Sequence, residues 1–256
     1  MGLDGLSFGR VADLYDAIRP SPPPQLATLL APVEGLDVLD LAAGTGLVTR
    51  FLDSLGARVT AVEPDARMRD VLARSGVDVA VLDGTAEAIP LADASVDVVV
   101  ASSSWHWFRQ PDAAREIARV LRDRGRLFVL ANTLDRSVGW VARLRSLPDE
   151  GRDHRTARRA PQAAPDLAEG FCDVRNIRIP WTWRRSPDEL VALMRTYSVV
   201  LQRTDDERRV MDERIRVALT RRAREGVLDV PMVLSGVSAH RRARGNGTGK
   251  RAGANA

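Results

Sequence analysis

A glycine-rich turn after the first predicted strand carries the clearest chemical signal in the chain. Gly44 and Gly46 stand between an apolar strand at 38–41 and a helix at 47–55, so the backbone can turn tightly and a ligand can approach the main chain. The helix presents free N–H groups toward such a ligand. Glu63 ends the next predicted strand, where a carboxylate can accept hydrogen bonds from both hydroxyls of a ribose. The pattern predicts a nucleoside-binding site.

Two further residues bear on which nucleoside this turn would bind. The fingerprint of a nicotinamide dinucleotide site has a third small residue three positions after Gly46, and Thr49 suits that place poorly. Asp40 lies near the end of the first strand, where it would repel a pyrophosphate but stabilise a ligand with ammonium and sulfonium groups. We interpret the turn as a site for a cationic nucleoside. The alternative role of Asp40 is to order the loop.

His106 is a second candidate for chemistry. It follows the predicted strand at 96–101, at the edge where open α/β sheets bind ligands. An imidazole titrates at about pH 6.5 and can serve as a general base. The alternative is that Trp105, Trp107 and Phe108 pack the loop while His106 makes a structural hydrogen bond. The residues alone leave both interpretations open.

Strands and helices alternate through the first half of the chain, which predicts a parallel sheet covered by helices on both faces. We predict an α/β fold, a doubly wound Rossmann-like seven-stranded sheet with helical cover segments, whose last strand (about 230–239) is antiparallel. The predicted organisation is one domain at 1–239 with a ligand-binding core at 36–131, cover segments at 1–30, 135–170 and 186–226, and a disordered basic tail at 240–256.

The second half of the chain carries the positive charge, and half of its excess lies in the tail at 240–256. Residues 1–135 have a net charge of −6 and residues 136–256 a net charge of +10. The arginines at 152–159, with Arg184 and Arg185, could bind an acidic substrate such as a carboxylate, or they could form a solvated helix face. Arginines at 203–216 alternate with acidic residues in a helix predicted at about 205–225, so we expect ion pairs within that helix.

Composition excludes several kinds of chemistry. Of 38 basic residues, Lys250 is the only lysine, which argues against a Schiff base, a phosphate-loop lysine or a kinase lysine. Cys172 is the only cysteine and the three histidines are far apart, so we expect neither a disulfide framework nor a metal site. The sequence shows no signal peptide and no apolar run of about 20 residues. We therefore expect a cytoplasmic protein without a membrane partner.

Several ordered blocks resemble the class I S-adenosylmethionine-dependent methyltransferases, specifically the type 11 small-molecule branch. The blocks are VLDLAAGTG, AVEPDARM, LDGTAEAIPLADASVDVVVAS, and WHWF with EIARVLRDRG, all within 36–131. The segment SFGRVADLYDAIRP is similar to the cap helix that precedes this core in the family. The family often has glycine at the place of Ala42 and usually has aspartate at the place of Thr85.

The resemblance implies that S-adenosyl-L-methionine is the cofactor, and it implies a contact for each matched residue. The implied contacts to the methionine moiety and the methyl group come from Asp40, Ala42, Gly44, Gly46 and Ser102, with Tyr15 closing the pocket from the cap helix. The implied contacts to the ribose and the adenine come from Glu63, Pro64, Met68, Thr85 and Ala86.

The same resemblance implies in-line transfer of a methyl group to an O, N or C nucleophile of a small molecule, which can be acidic. One alternative is a regulatory protein that binds S-adenosylmethionine without catalysis. Another is a nucleic-acid methyltransferase, which the basic second half suggests. Against that second alternative, the sequence shows neither an aromatic–basic recognition module nor an Asn-Pro-Pro-Tyr-like signature, and we expect no specific nucleic-acid partner.

Overall fold

Seven strands in the described part of the chain form one sheet. The computed structural model describes residues 12–147, 165, 167, 170–197, 200 and 203–243. The strands are β1 (Asp37–Leu41), β2 (Arg58–Val62), β3 (Ala80–Leu82), β4 (Val96–Ser102), β5 (Leu121–Leu134), β6 (Phe171–Arg185) and β7 (Leu228–Arg241). Their order across the sheet is β3-β2-β1-β4-β5-β7-β6.

The five neighbouring strands β3, β2, β1, β4 and β5 pair in parallel, whereas β7 runs antiparallel to both β5 and β6. This arrangement confirms the predicted α/β sheet and its antiparallel last strand. The last strand lies inside the sheet, between β5 and β6, and β6 forms the edge. Because parallel strands share a direction, the carboxyl ends of β1, β2 and β4 meet at one edge of the sheet.

Helices cover the sheet and its carboxyl edge. They are α1 (Ala12–Ile18), α2 (Gln25–Leu30), α3 (Leu47–Ser54), α4 (Ala66–Ala73), α5 (Gln110–Val120), α6 (Gly139–Ser146), α7 (Pro187–Arg195) and α8 (Asp205–Thr220). A short 3₁₀ helix at Trp105–Trp107 follows β4. Capping boxes start both late helices, since Ser186 pairs with Glu189 and Thr204 pairs with Glu207. No helix among the described residues is long and apolar enough to span a membrane.

The core lies on both faces of the sheet. Along β4, Val98 and Val100 pack with α2 and α3 on one face. Val99 and Ala101 pack with α5 on the other face, as the two-residue period of a strand requires. A third apolar cluster joins α6, α7 and α8 to the ends of β5, β6 and β7. The cover therefore has a core of its own, anchored on the antiparallel half of the sheet.

Several predicted boundaries are wrong at element ends. The residues 127–130 predict a short strand, but β5 is longer at both ends, and its antiparallel pairing with β7 continues from Arg126 to Leu134. Ser186 and Glu189 have the spacing of a capping box and predict a helix that runs to about residue 202. The helix ends at Arg195, where the Thr196 hydroxyl donates to the Leu193 carbonyl at 2.7 Å. The helix predicted to reach residue 225 ends at Thr220, before a turn in which Glu225 has a φ of 50°.

The predicted start of a disordered tail at residue 240 is also wrong. His240 and Arg241 belong to β7: His240 pairs with Arg126 of β5 and Cys172 of β6, and Arg241 pairs with Phe171 of β6. The Arg241 side chain is buried and donates to the Leu121 carbonyl at 2.8 Å and to the Asp123 carboxylate at 2.7 Å. These bonds fix the end of the strand. Residues 244–256 and the arginine cluster at 152–159 lie outside the described residues.

Candidate functional site

The loop between β1 and α3 turns sharply at the carboxyl edge of the sheet. Ala42, Gly44 and Gly46 have positive φ angles of 56°, 60° and 86°. A Cβ atom on Gly46 would lie 2.2 Å from Cδ1 of Leu72, whereas a Cβ atom on Gly44 would meet no atom within 4 Å. Gly46 is therefore required by the packing of α4 against the loop. Gly44 exposes its backbone to open space, which leaves room for a ligand.

We expect alanine to be tolerated differently at these two glycines. Both substitutions place a side chain in the left-handed region, which costs about 1–2 kcal/mol. Gly46→Ala also forces a methyl group into Leu72, and such overpacking costs about 1–3 kcal/mol more. Urea unfolding should show losses of about 3 kcal/mol for Gly46→Ala and about 1 kcal/mol for Gly44→Ala. Equal losses would contradict the role of Leu72.

Asp40 is a buried carboxylate beside this loop. Only 1% of the residue is exposed, and the Thr49 hydroxyl donates to its Oδ2 atom at 2.6 Å. Burial raises the pKa of Asp40 to about 7, the negative charge of Glu63 adds to this increase, and the Thr49 hydrogen bond opposes it. Thr49 lies in the first turn of α3. Thr49 therefore positions Asp40, a role that was not among those predicted from the sequence.

Glu63 follows β2, and each of its carboxylate oxygens accepts a hydrogen bond from a backbone N–H group. The residue is 7% exposed, its Oε2 accepts from the Gly44 N–H and its Oε1 accepts from the Asp65 N–H, each at 2.9 Å. Burial raises the pKa of Glu63, and these two hydrogen bonds oppose the increase. Each carboxylate oxygen has two lone pairs. Glu63 can therefore accept two further hydrogen bonds, one on each oxygen, from a diol.

The two carboxylates lack a basic partner. Among the described residues, neither Asp40 nor Glu63 forms an ion pair; the nearby Arg69 donates to the backbone carbonyl of Glu63 at 2.7 Å and to Asp83 at 3.0 Å. Burying an unpaired carboxylate is costly, and such groups cluster at functional sites. A ligand that brings positive charge and hydroxyl groups would offset this cost.

The other predicted site residues follow neighbouring strands. Pro64 is exposed and Met68 is buried in α4, both after β2. After β3, Thr85 is exposed and bridges to Ala88, whereas Ala86 is buried. The strand order brings these residues to the same edge as the glycine loop. Their contacts with a ligand stay a prediction.

The end of β4 contributes a further irregular backbone. Ser102 is half-buried at the last position of the strand. Ser103 has a φ of 59°, and its N–H donates to the Leu130 carbonyl at 2.7 Å. Because β4 is the neighbour of β1, Ser102 lies at the same edge as the glycine loop. Positive φ angles outside glycine concentrate at functional sites.

The aromatic run after β4 is divided between packing and exposure. Trp105 is buried, and its ring centroid lies 5.5 Å from that of Phe108. His106 is exposed, with its ring centroid 4.7 Å from that of Trp107. The packing role is confirmed for Trp105. A role of His106 as general base stays a prediction.

The cap helix α1 is tied directly to the glycine loop. Arg50 donates to Asp16 of α1 at 2.7 Å and to the Thr45 carbonyl of the loop at 3.0 Å. Half-buried Tyr15 lies next to Asp16 on this helix. No local sequence pattern predicts this link, because Asp16 and Arg50 are 34 residues apart.

Comparisons with known proteins agree with this geometry. A family model described as "Methyltransferase domain" matches residues 39–129. An uncharacterized methyltransferase of Mycobacterium tuberculosis is 38% identical over 214 residues, which are 84% of this chain and 86% of that protein. One of Schizosaccharomyces pombe is 32% identical over 208 residues, 78% of this chain and 82% of that protein. The solved structure of the YcgJ protein from Bacillus subtilis has the same fold, with a TM-score of 0.52 at 20% identity over 86% of this chain and 98% of that chain.

The residues present fit the cofactor of that family. S-adenosylmethionine carries a sulfonium, an ammonium and two ribose hydroxyls. These match two buried carboxylates, Asp40 and Glu63, which form no ion pair with any described residue and lie beside open backbone at Gly44. The match with the M. tuberculosis methyltransferase extends over more than four fifths of both chains. The protein therefore belongs to the S-adenosylmethionine-dependent methyltransferases and is an enzyme of that family.

Proposed function

We propose that the enzyme transfers the methyl group of S-adenosylmethionine in line to an O, N or C nucleophile of a small cytoplasmic molecule. The observation that carries the proposal is the pair of buried carboxylates, Asp40 and Glu63, which meet no basic side chain at ion-pair distance among the described residues. They lie beside Gly44, where the backbone faces open space. This arrangement supports binding of a cationic nucleoside at the sheet edge.

Different side chains of the site would bind the cofactor, close the site and accept the proton. When bound, S-adenosylmethionine supplies an electrophilic methyl group and leaves as S-adenosylhomocysteine. Asp40, fixed by Thr49, would hold the positive charge of the methionine moiety, and Glu63 would accept the ribose hydroxyls. Tyr15 on α1 would close the site and reduce access of water. His106 is the proposed acceptor of a proton from the nucleophile, and orienting that nucleophile toward the methyl carbon supplies most of the acceleration.

The cover favours a small acceptor over a nucleic acid. Its apolar core packs the α6–α8 helices onto the sheet, and Ile18 of α1 packs against the same core. Three of the four arginines of α8 pair with acids of the same helix, as the sequence predicted: Arg208 with Asp205, Arg209 with Asp206, and Arg216 with Glu213. Arg216 also pairs with Asp188 of α7. Arg184 and Arg185 likewise contact Asp229 and Glu189. Because these arginines are paired with carboxylates, their positive charge is less available to the phosphates of a nucleic acid.

A transfer assay tests the proposed function. The protein is incubated with S-adenosylmethionine labelled in its methyl group and with three separate fractions, namely small metabolites, RNA and protein. We expect label in the small-metabolite fraction alone, and its loss in Asp40→Asn. Label in RNA would contradict the proposal. Binding of S-adenosylhomocysteine without transfer to any fraction would support the regulatory alternative.

A further inference from the structure

Arg19 occupies an unusual place between the cap helix and the cover. It directly follows α1, and its guanidinium carbon lies 4.6 Å from the centre of the Tyr15 ring and 4.9 Å from that of the Tyr197 ring. Tyr197 follows α7, and the guanidinium of Arg145 in α6 lies 4.0 Å from the same ring. Two guanidinium groups therefore lie against the ring of one tyrosine.

Neither positive charge is balanced by a carboxylate. Arg19 donates one hydrogen bond, at 3.3 Å, to the Thr196 carbonyl, and its Nε atom is buried without a partner. Within the described chain, neither Arg19 nor Arg145 has a carboxylate at ion-pair distance. The other buried or half-buried arginines that the structure describes are matched. Those paired with carboxylates are Arg50, Arg69, Arg119, Arg122, Arg185, Arg203, Arg208, Arg216 and Arg241.

Arg126, the remaining half-buried arginine, has its guanidinium hydrogen-bonded to backbone carbonyls in place of a carboxylate. Arg126 donates to three backbone carbonyls, those of Leu30, Ala31 and Pro32, at 2.5–3.1 Å. Arg19 has one long bond of this kind and a buried N–H group left over. A partly buried cation that lacks such partners is costly. The cost is offset when an anionic ligand binds.

The position of Arg19 connects it to the cofactor loop. The Arg19 N–H donates to the Tyr15 carbonyl at 3.0 Å, so the turn that carries Asp16 continues to Arg19. Asp16 binds Arg50, and Arg50 binds the carbonyl of Thr45 in the glycine loop. Arg19 is thus linked to the glycine loop through Asp16 and Arg50, and to the cover through Tyr197 and Thr196.

We propose that Arg19 and Arg145 bind a carboxylate of the methyl acceptor, which makes the enzyme specific for organic acids. The inference rests on the proposed methyl transfer to a small molecule. A guanidinium stacked on an aromatic ring keeps its edge N–H groups for a ligand, and its planar fork matches the two oxygens of a carboxylate. A phosphate could use the same donors, so the test includes it.

Calorimetry on the protein saturated with S-adenosylhomocysteine tests this inference. The probes are succinate and benzoate, their amides succinamide and benzamide, and inorganic phosphate. We expect at least one acid to bind more tightly than its amide and than phosphate. Arg19→Gln should weaken acid binding about tenfold to a hundredfold, the effect of losing one charged hydrogen bond. Arg19→Lys, which keeps the charge, should recover part of the affinity.

The control is Arg143→Gln, which removes an exposed arginine from the same helix as Arg145. It should leave acid binding unchanged, and Arg19→Gln should leave the affinity for S-adenosylhomocysteine unchanged. The inference is overturned if acids bind no better than amides or phosphate, if no acid binds at millimolar concentration, or if Arg19→Gln weakens both ligands equally. Acid binding is also measured without S-adenosylhomocysteine, and binding of S-adenosylhomocysteine is measured by itself. A protein that does not bind S-adenosylhomocysteine would contradict the proposed function and not the acid site alone.

Discussion

Replacing Glu63 by alanine is expected to weaken binding of S-adenosylhomocysteine about a hundredfold or more. The carboxylate would accept two ribose hydroxyls, and hydrogen bonds to a charged group contribute about 1.5–3 kcal/mol each. The substitution also removes the acceptor of the Gly44 and Asp65 N–H groups, which Glu63 binds at 2.9 Å. The loop would therefore lose order as well as a ligand contact. Calorimetric titration of the variant with S-adenosylhomocysteine measures the effect.

Two further variants give this experiment its control. Glu63→Gln keeps the shape of the side chain and one acceptor oxygen, so it should bind with intermediate affinity. Asp83→Ala removes an exposed carboxylate that pairs with Arg69, a neighbour of Glu63, and it should bind normally. Unchanged affinity in Glu63→Ala would refute the assignment of Glu63 to the ribose.

Asp40→Asn is expected to stabilise the ligand-free protein at pH 8 while it weakens cofactor binding. Burial raises the pKa of Asp40 from 3.8 to about 7. Between these two values the folded protein binds a proton that the unfolded chain releases, so the contribution of Asp40 to stability falls as the pH rises. Above pH 7 the loss is complete and reaches about 4 kcal/mol, at 1.36 kcal/mol for each unit. Asparagine avoids this loss, because it stays neutral.

Urea unfolding of both proteins between about pH 4 and pH 8 measures this difference. The wild type and Asp40→Asn should be close in stability near pH 4, and the variant should gain steadily up to pH 7. Subtracting the two curves removes the contributions of other titrating groups. Asp53→Asn, which changes an exposed aspartate of α3, should show no such trend. A difference that does not change with pH would refute the unpaired burial of Asp40.

The fold followed from local sequence patterns wherever those patterns were strong. The residues 58–62 predict a strand and coincide with β2, and the capping-box spacing of Ser186 and Glu189 predicts the start of α7. The ends of β5 and β7 were predicted short, since their length depends on pairing between residues about 100 positions apart, such as Arg126 and His240. Charge pairing on α8 was predictable for the opposite reason, because partners three residues apart lie on one helix face.

The candidate site divides in the same way. Asp40 and Glu63 stood out because carboxylates at strand ends have a recognisable place in the pattern, and the structure shows both to be buried there. Thr49 was noted only as a poor match to a dinucleotide fingerprint, although its place in the first turn of α3 offered a signal that it could reach Asp40. Arg19 gave no signal, since apart from Tyr15 its partners are Thr196 and Tyr197, the first of them 177 residues away.

The place of β7 inside the sheet bears on the order in which the molecule can assemble. Strands β1 to β5 can pair once residue 134 has been made, whereas β6 has no sheet neighbour except β7. The cover packs on these last strands. Domains form from the amino end during synthesis, and contacts distant in sequence form slowly. On the ribosome, the half that holds the methyl donor would therefore take shape first, and the half that chooses the acceptor would wait for the final strand to be inserted.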